Sequence, residues 1–232
     1  MRKRNVGLIA LFAAGSVAVA ALAQRAGHSR AEGSKGTESL QRPPLAKNEA
    51  EKRILDVLDD IHRNQFRGWN ISPEDGRLLR VLTESMGAKN VVELGTGVGY
   101  SSIWLCLALQ STGGKLTTYE IEAHRASLAR ENFKRAGVNG IVALVEGDAH
   151  EEVTKLREPI DLLFLDADMD GYVGYLNKLL PLVRPSGLIV AHNMVRPPPD
   201  PRYIEAITTN PDLETIFLLM DHAGVAVTLR KR

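Results

Sequence analysis

The segment Val91-Val92-Glu93-Leu94-Gly95-Thr96-Gly97-Val98-Gly99-Tyr100-Ser101-Ser102 constrains the fold more than any other part of the chain. An apolar strand-like run enters a loop with glycine at every second position and leaves into a helical pattern. Glycines let the backbone turn tightly and approach a ligand closely. In an open α/β sheet, ligands bind beyond the carboxyl ends of the strands. A dinucleotide fingerprint would need G-x-G-x-x-G, and position 100 is Tyr rather than Gly. A glycine loop alone is a weak signal, because a plain strand-to-helix turn has the same composition. The surrounding sequence strengthens it.

From Lys47 onward the pattern alternates between helix and strand. Ile54, Leu58 and Ile61 recur at i, i+4, i+7, as on one face of an amphipathic helix. Ser72-Pro73-Glu74-Asp75 reads as a helix start, with a capping Ser, Pro in the first turn and acids at the positive end. Leu78, Leu79, Leu82 and Met86 supply its apolar face. Strands are expected at 91–94, 116–120, 141–146, 160–165 and 188–191, separated by helices at 101–110, 123–136 and 172–183. This alternation predicts βαβ units and a parallel sheet covered on both faces. Leu162-Leu163-Phe164-Leu165 is the near-continuous apolar run of a buried parallel strand. The tail differs: 215–220 and 225–229 flank Asp221-His222-Ala223-Gly224, which reads as an antiparallel hairpin. The 232 residues suit one globular domain.

The chemistry falls at successive strand ends. Tyr119-Glu120 closes the second strand, and a carboxylate there can accept both hydroxyls of a ribose. Gly147-Asp148 closes the third, where an adenine edge could be held. The charge is nearly balanced, 29 basic against 28 acidic residues, which gives no support to nucleic-acid binding. Aromatics are only 5%, against a base-stacking platform. The single cysteine, Cys106, rules out an internal disulfide and a Cys-rich zinc site.

The N-terminus reads separately. Arg2, Lys3 and Arg4 precede an apolar run over residues 6–23 that ends in Ala21-Leu22-Ala23. This is the layout of a secretory signal peptide, with a retained membrane anchor as the rival because the run is near the short end of a bilayer span. Residues 24–46, with Gly, Ser, Gln and Pro43-Pro44, read as a flexible tether. The domain over 47–232 is then exported, periplasmic or membrane-anchored.

Over 47–232 the sequence resembles the class I S-adenosylmethionine-dependent methyltransferases, in the cation-dependent O-methyltransferase branch that includes the catechol and caffeoyl-CoA enzymes. The resemblance rests on Ser72-Pro73-Glu74-Asp75-Gly76, the loop from Glu93 to Ser102, Glu120, Ala136-Gly137-Val138, Phe164-Leu165-Asp166-Ala167-Asp168 and the closing hairpin. It implies a Rossmann-like, doubly wound seven-stranded sheet, mostly parallel with an antiparallel C-terminal hairpin. It implies that Glu93, Gly95 and Gly97 line the methionine half of the cofactor and that Glu120 holds its ribose. Thr96, Gly99, Tyr100, Ser101, Asp148 and Asp166 complete the expected cofactor set. The expected partner is a small-molecule hydroxyl acceptor, phenolic or catechol-like. Membrane attachment through residues 6–23 and a homodimer are further expectations.

Two positions depart from the family pattern. The family binds a divalent cation through an Asp ending the fourth strand and an Asp-Asn pair ending the fifth. Here these are Asp166 and His192-Asn193, so His replaces a carboxylate. The family also places a lysine general base three residues after the first metal Asp; here that residue is Met169, which cannot take a proton. Three readings stay open. Asp166, His192 and Asn193 bind a metal that suits imidazole; or no metal binds and His192 is the general base beside Asp166; or phenol chemistry has been lost. A non-catalytic cofactor-binding domain outside the cytosol is an alternative, since the cofactor is made in the cytosol. A nicotinamide oxidoreductase is disfavoured by Tyr100.

Other residues have plainer readings. Cys106 and Trp104 are read as core, Trp69 as equally a wall of the acceptor pocket, and His62, His124 and His222 as surface. His150, after Gly147-Asp148-Ala149, is a candidate for adenine contact. Asp168 and Asp170 are read as solvated loop acids or reserve ligands.

Overall fold

The computed structural model describes residues 42–65, 70–220 and 222–232. Residues 1–23, most of the 24–46 tether and Trp69 therefore lie outside the described residues. No helix among the described residues is long and apolar enough to cross a membrane. Residues Ala46–Arg232 form one compact unit.

Two helices, α1 (Glu49–Asn64) and α2 (Pro73–Ser85), precede the sheet. Then come β1 (Asn90–Leu94), α3 (Tyr100–Thr112), β2 (Lys115–Glu120), α4 (Ala123–Ala136), β3 (Val142–Glu146) and a short α5 (Ala149–Glu152). The remainder is β4 (Ile160–Leu165), α6 (Tyr172–Leu179), β5 (Val183–His192), α7 (Pro201–Thr209), β6 (Leu213–Leu218) and β7 (Val225–Arg230). The seven strands form one sheet in the order β3-β2-β1-β4-β5-β7-β6. β1 through β5 pair in parallel, and β7 runs antiparallel to both β5 and β6. This is the doubly wound architecture expected, with its sequence order reversing at β1, where ligand crevices open.

Side chains alternate across the central strands because the strand period is two. Leu162 and Phe164 of β4 face a core shared with α1, α2, α3 and α4, whereas Leu163 and Leu165 face a second core shared with α6 and α7. Helix α3 is buried nearly all round, which explains why Trp104 and Cys106 belong to the core. Burial also pushes the Cys106 thiol well above its ordinary range, so it is not a ready nucleophile. His62 departs from a surface reading: it is half-buried and stacks on Tyr100, ring centres 6.2 Å apart.

The largest boundary differences lie around β5. The helix expected over 172–183 stops at Leu179, and β5 begins at Val183 rather than residue 188. Pro181 lacks the N–H that a continuing helix needs. Val183 then pairs with Ile160, and the register slips before Leu162 meets Leu188. Ser186 takes a positive φ of 63° within this irregular stretch. A side chain at Gly187 would sit 2.7 Å from the Arg184 carbonyl oxygen. The first hairpin strand is Leu213–Leu218 rather than 215–220.

Candidate active site

The sheet register lines up the strand tips. Leu94 pairs with Tyr119 on one side and Leu165 on the other, and Leu165 pairs with Ala191. Gly95, Glu120, Asp166 and His192 therefore emerge at adjacent positions along one edge. Backbone bonds fix this edge: Gly95 and Thr96 N–H donate to the Tyr119 carbonyl at 3.1 and 3.0 Å, Asp166 N–H to Leu94 at 2.9 Å, and Gly147 N–H to Glu120 at 2.9 Å. Gly95 has φ +96°, and a Cβ there would overlap the Asp166 carbonyl. Only glycine lets these two tips approach so closely.

A cleft of about 450 Å³ opens at this edge. The glycine loop supplies Gly95, Thr96 and Gly97, with Tyr100 and Ser101 from the start of α3. The β2 and β3 tips supply Glu120, Ile121, Gly147 and Asp148. Asp166, Ala167 and Asp168 close it after β4, and Asn70 and Ile71 border it from the segment before α2. Gly97 has open space where a side chain would stand.

Glu120 is the most densely bonded acid of the cleft. Its Oε1 accepts Arg125 Nε at 2.9 Å and Nη2 at 2.6 Å, and Glu122 N–H at 2.9 Å; its Oε2 accepts Gly97 N–H at 2.8 Å. Oε2 takes one bond here and keeps a lone pair for a hydroxyl. Asp148 caps α5 by accepting His150 N–H at 2.8 Å. His150 stacks on Tyr175 at 4.3 Å between ring centres, and Asp168 accepts the Tyr175 hydroxyl at 2.6 Å while contacting His150 Nε2 at 3.1 Å. Asp168 is thus a bonded member of the cleft wall whose side chain stays 54% exposed, as expected of a solvated loop acid.

Four expected site residues stand elsewhere. Glu93 is 0% exposed and absent from the cleft wall. Its oxygens accept the Ser101 hydroxyl at 2.5 Å and the Ser102 hydroxyl, so it braces the loop from behind. Burial raises its carboxyl to about 7, against the pull of those serines. Gly99 also lies behind the wall, starting α3 at φ +89°, where a Cβ would meet Phe133 at 2.7 Å. Asn193 adopts φ 61° and turns its amide toward the Arg196 carbonyl, 3.5 Å away.

His192, the fourth, is 6% exposed. Its Nδ1 bonds Asp166 Oδ1 at 3.0 Å, and its Nε2 faces Asp75 Oδ2 at 3.5 Å. Asp75 is 2% exposed and also receives the Ser72 hydroxyl at 2.9 Å. Burial alone would lower the imidazole; the Asp166 hydrogen bond and the charges of Asp166 and Asp75 outweigh it and hold the group up at about 10. Asp75 and Arg125 were not legible as site residues. One reads locally as a helix-start acid, and the other as a surface cation of α4.

Of the three residues expected to ligate a cation, Asp166 and His192 are bonded to each other, and Asn193 directs its amide nitrogen to the Arg196 carbonyl. Among the described residues, no group of three or more His, Cys, Asp or Glu is arranged to hold a metal ion. Met169 packs against the core beside α6.

A sequence model described as O-methyltransferase matches residues 47–197. A catechol O-methyltransferase of Niastella koreensis is 37% identical over 165 residues, which is 69% of this chain and 73% of that protein. Among solved structures, an O-methyltransferase from Bacillus cereus in complex with S-adenosylhomocysteine superposes with a TM-score of 0.69 at 29% identity, covering 81% of this chain and 93% of that one. TomG, an O-methyltransferase from Streptomyces achromogenes in complex with S-adenosylmethionine, gives a TM-score of 0.67 at 26% identity over 81% and 92%. None of these similarities favours a non-catalytic domain. With its strand order, its glycine loop and these relatives, the chain belongs to the S-adenosylmethionine-dependent O-methyltransferase family.

Proposed function

We propose that the protein methylates a hydroxyl of a small phenolic or catechol-like acceptor. The observation that carries this reading is the cleft itself, where the β1, β2, β3 and β4 tips place a glycine loop, Glu120, Asp148 and Asp166 around one space. Similarity to a protein named catechol O-methyltransferase supports the acceptor class.

Bound S-adenosylmethionine supplies a methyl group made electrophilic by its sulfonium. Everything else falls to the chain's own residues. Glu120 Oε2 would accept the ribose hydroxyls, Asp148 would hold the adenine edge, and Gly95 and Gly97 would leave room for the methionine portion. Methyl transfer in line is mainly a positioning task, and correct geometry removes much of the barrier. Asp166 both lines the cleft and bonds His192. An acceptor hydroxyl brought to that end meets a carboxylate able to take a hydrogen bond from it.

Incubation of the full chain with S-adenosylmethionine and separate catechol, monophenol and aliphatic alcohol acceptors, read by mass spectrometry, tests this. Methylated catechol or phenol is expected. Turnover of aliphatic alcohols alone would overturn the acceptor class.

A further inference from the structure

In the family that this chain resembles, a divalent cation sits at the tips of the fourth and fifth strands. We infer that this chain has exchanged that cation site for a buried Asp75–His192–Asp166 cluster and takes no divalent metal there. The inference rests on reading the cleft as the methyl-transfer centre, but it concerns the cluster and not the identity of the acceptor.

Three observations on separate elements carry it. First, the ring of His192 lies between acids from different parts of the fold: Asp166, after β4, hydrogen-bonds Nδ1 at 3.0 Å, and Asp75, in the first turn of α2, stands 3.5 Å from Nε2. A metal-binding imidazole must direct a lone pair at the ion. Carboxylate oxygens only accept, so Nδ1, bonded to Asp166, carries its hydrogen and has no lone pair to offer, while Nε2 is buried against Asp75 rather than open to the cleft. Second, Asp166 would have to be a cation's carboxylate ligand, and its Oδ1 is already committed to that ring. Third, Asn193, the remaining member of the expected set, directs its amide nitrogen to the Arg196 carbonyl at 3.5 Å.

Asp75 makes the cluster more than a missing ligand. It is buried, its Oδ1 has no hydrogen-bond partner, and His192 Nε2 beside it has none either. A buried carboxylate of this kind is costly unless an opposite charge is near. Helix α2 projects it toward the position that His192 occupies. Two acids flank one imidazole in the space where acids would otherwise flank a cation.

The test is direct metal binding by the full chain, using Mn2+ read by electron paramagnetic resonance and Zn2+ by calorimetry, each with and without S-adenosylhomocysteine. The wild-type protein is expected to show no saturable site that depends on Asp166. The variant His192→Asp, which restores a third carboxylate, should gain one saturable Mn2+ equivalent that wild type lacks, since ligand charge count sets affinity. One saturable equivalent in wild type that disappears in Asp166→Asn would overturn the inference. So would an absence of Mn2+ binding in a His192→Asp variant that still binds S-adenosylhomocysteine, because His192 would then not be what displaced the cation. If His192→Asp does not fold, the wild-type titration alone decides between the first two outcomes. An incorrect acceptor class would leave all of these results unchanged and would show only in the turnover assay.

Discussion

Glu120 accepts the backbone N–H of Gly97 at 2.8 Å, so the acid that ends β2 is bonded directly to the loop that follows β1. The same carboxylate pairs with Arg125 of α4. One side chain therefore fixes the glycine loop, a helix and the proposed ribose contact together.

Replacing Glu120 should separate these roles. Glu120→Gln keeps an acceptor for Gly97 N–H but removes the charge that Arg125 pairs with. Hydrogen bonds involving an ionised group are worth roughly twice neutral ones, and loss of about 1.5–3 kcal/mol corresponds to weakening by roughly 10- to 100-fold. Calorimetry with S-adenosylmethionine should show that loss, with Glu120→Ala weaker still. Unchanged affinity in both variants would remove the ribose assignment.

Glu93 gives the chain a particular pH dependence. Its carboxyl is raised by burial from an ordinary 4.5 to about 7, so between these values the folded state holds a proton that the unfolded state releases. Stability from this group is complete below pH 4.5 and is lost as pH rises to about 7. The loss is on the order of 3 kcal/mol. Urea unfolding at pH 5, 6, 7 and 8 should show Glu93→Gln gaining on wild type as pH rises. A constant difference between the two proteins would contradict the buried, proton-holding description.

Two neighbouring glycines should respond differently to alanine. At Gly95 the new methyl overlaps the Asp166 carbonyl, with φ at +96°. The cost should exceed the roughly 1–3 kcal/mol of backbone strain alone. At Gly97, φ is +55° and the space is open, so about 1–2 kcal/mol is expected. Thermal unfolding should rank Gly95→Ala well below Gly97→Ala, and Gly97→Ala should still fold while losing cofactor affinity. Equal melting temperatures would mean that the two tips are not in contact.

The strand tips were legible because two local signals coincide there. Near-continuous apolar runs such as Leu162-Leu163-Phe164-Leu165 mark a doubly covered strand, and the polar or glycine residue that ends each run marks the edge. Asp166 and Glu120 followed from that pattern. What sequence could not give was direction and partnership. Glu93 lies two residues before Gly95 and was expected in the cleft, yet it faces α3, where Ser101 and Ser102 close over it. Asp75 looked like an ordinary acid at a helix start, a role that it also fills. Its meeting with His192 joins positions far apart in sequence, which no local spacing encodes. The early start of β5 was hidden because Leu179-Leu180 and Leu182-Val183 read as one continuing helix face across Pro181.

The reading of the strand-tip cleft as the adenosyl site is tested most directly by a crystal structure of the full chain with S-adenosylhomocysteine. It should place the ribose hydroxyls on Glu120, the adenine edge beside Asp148 and the sulfur end between Gly97 and Asp166. Density for the ligand at any other location, with the Glu120–Arg125 pair and the cleft unchanged, would contradict it.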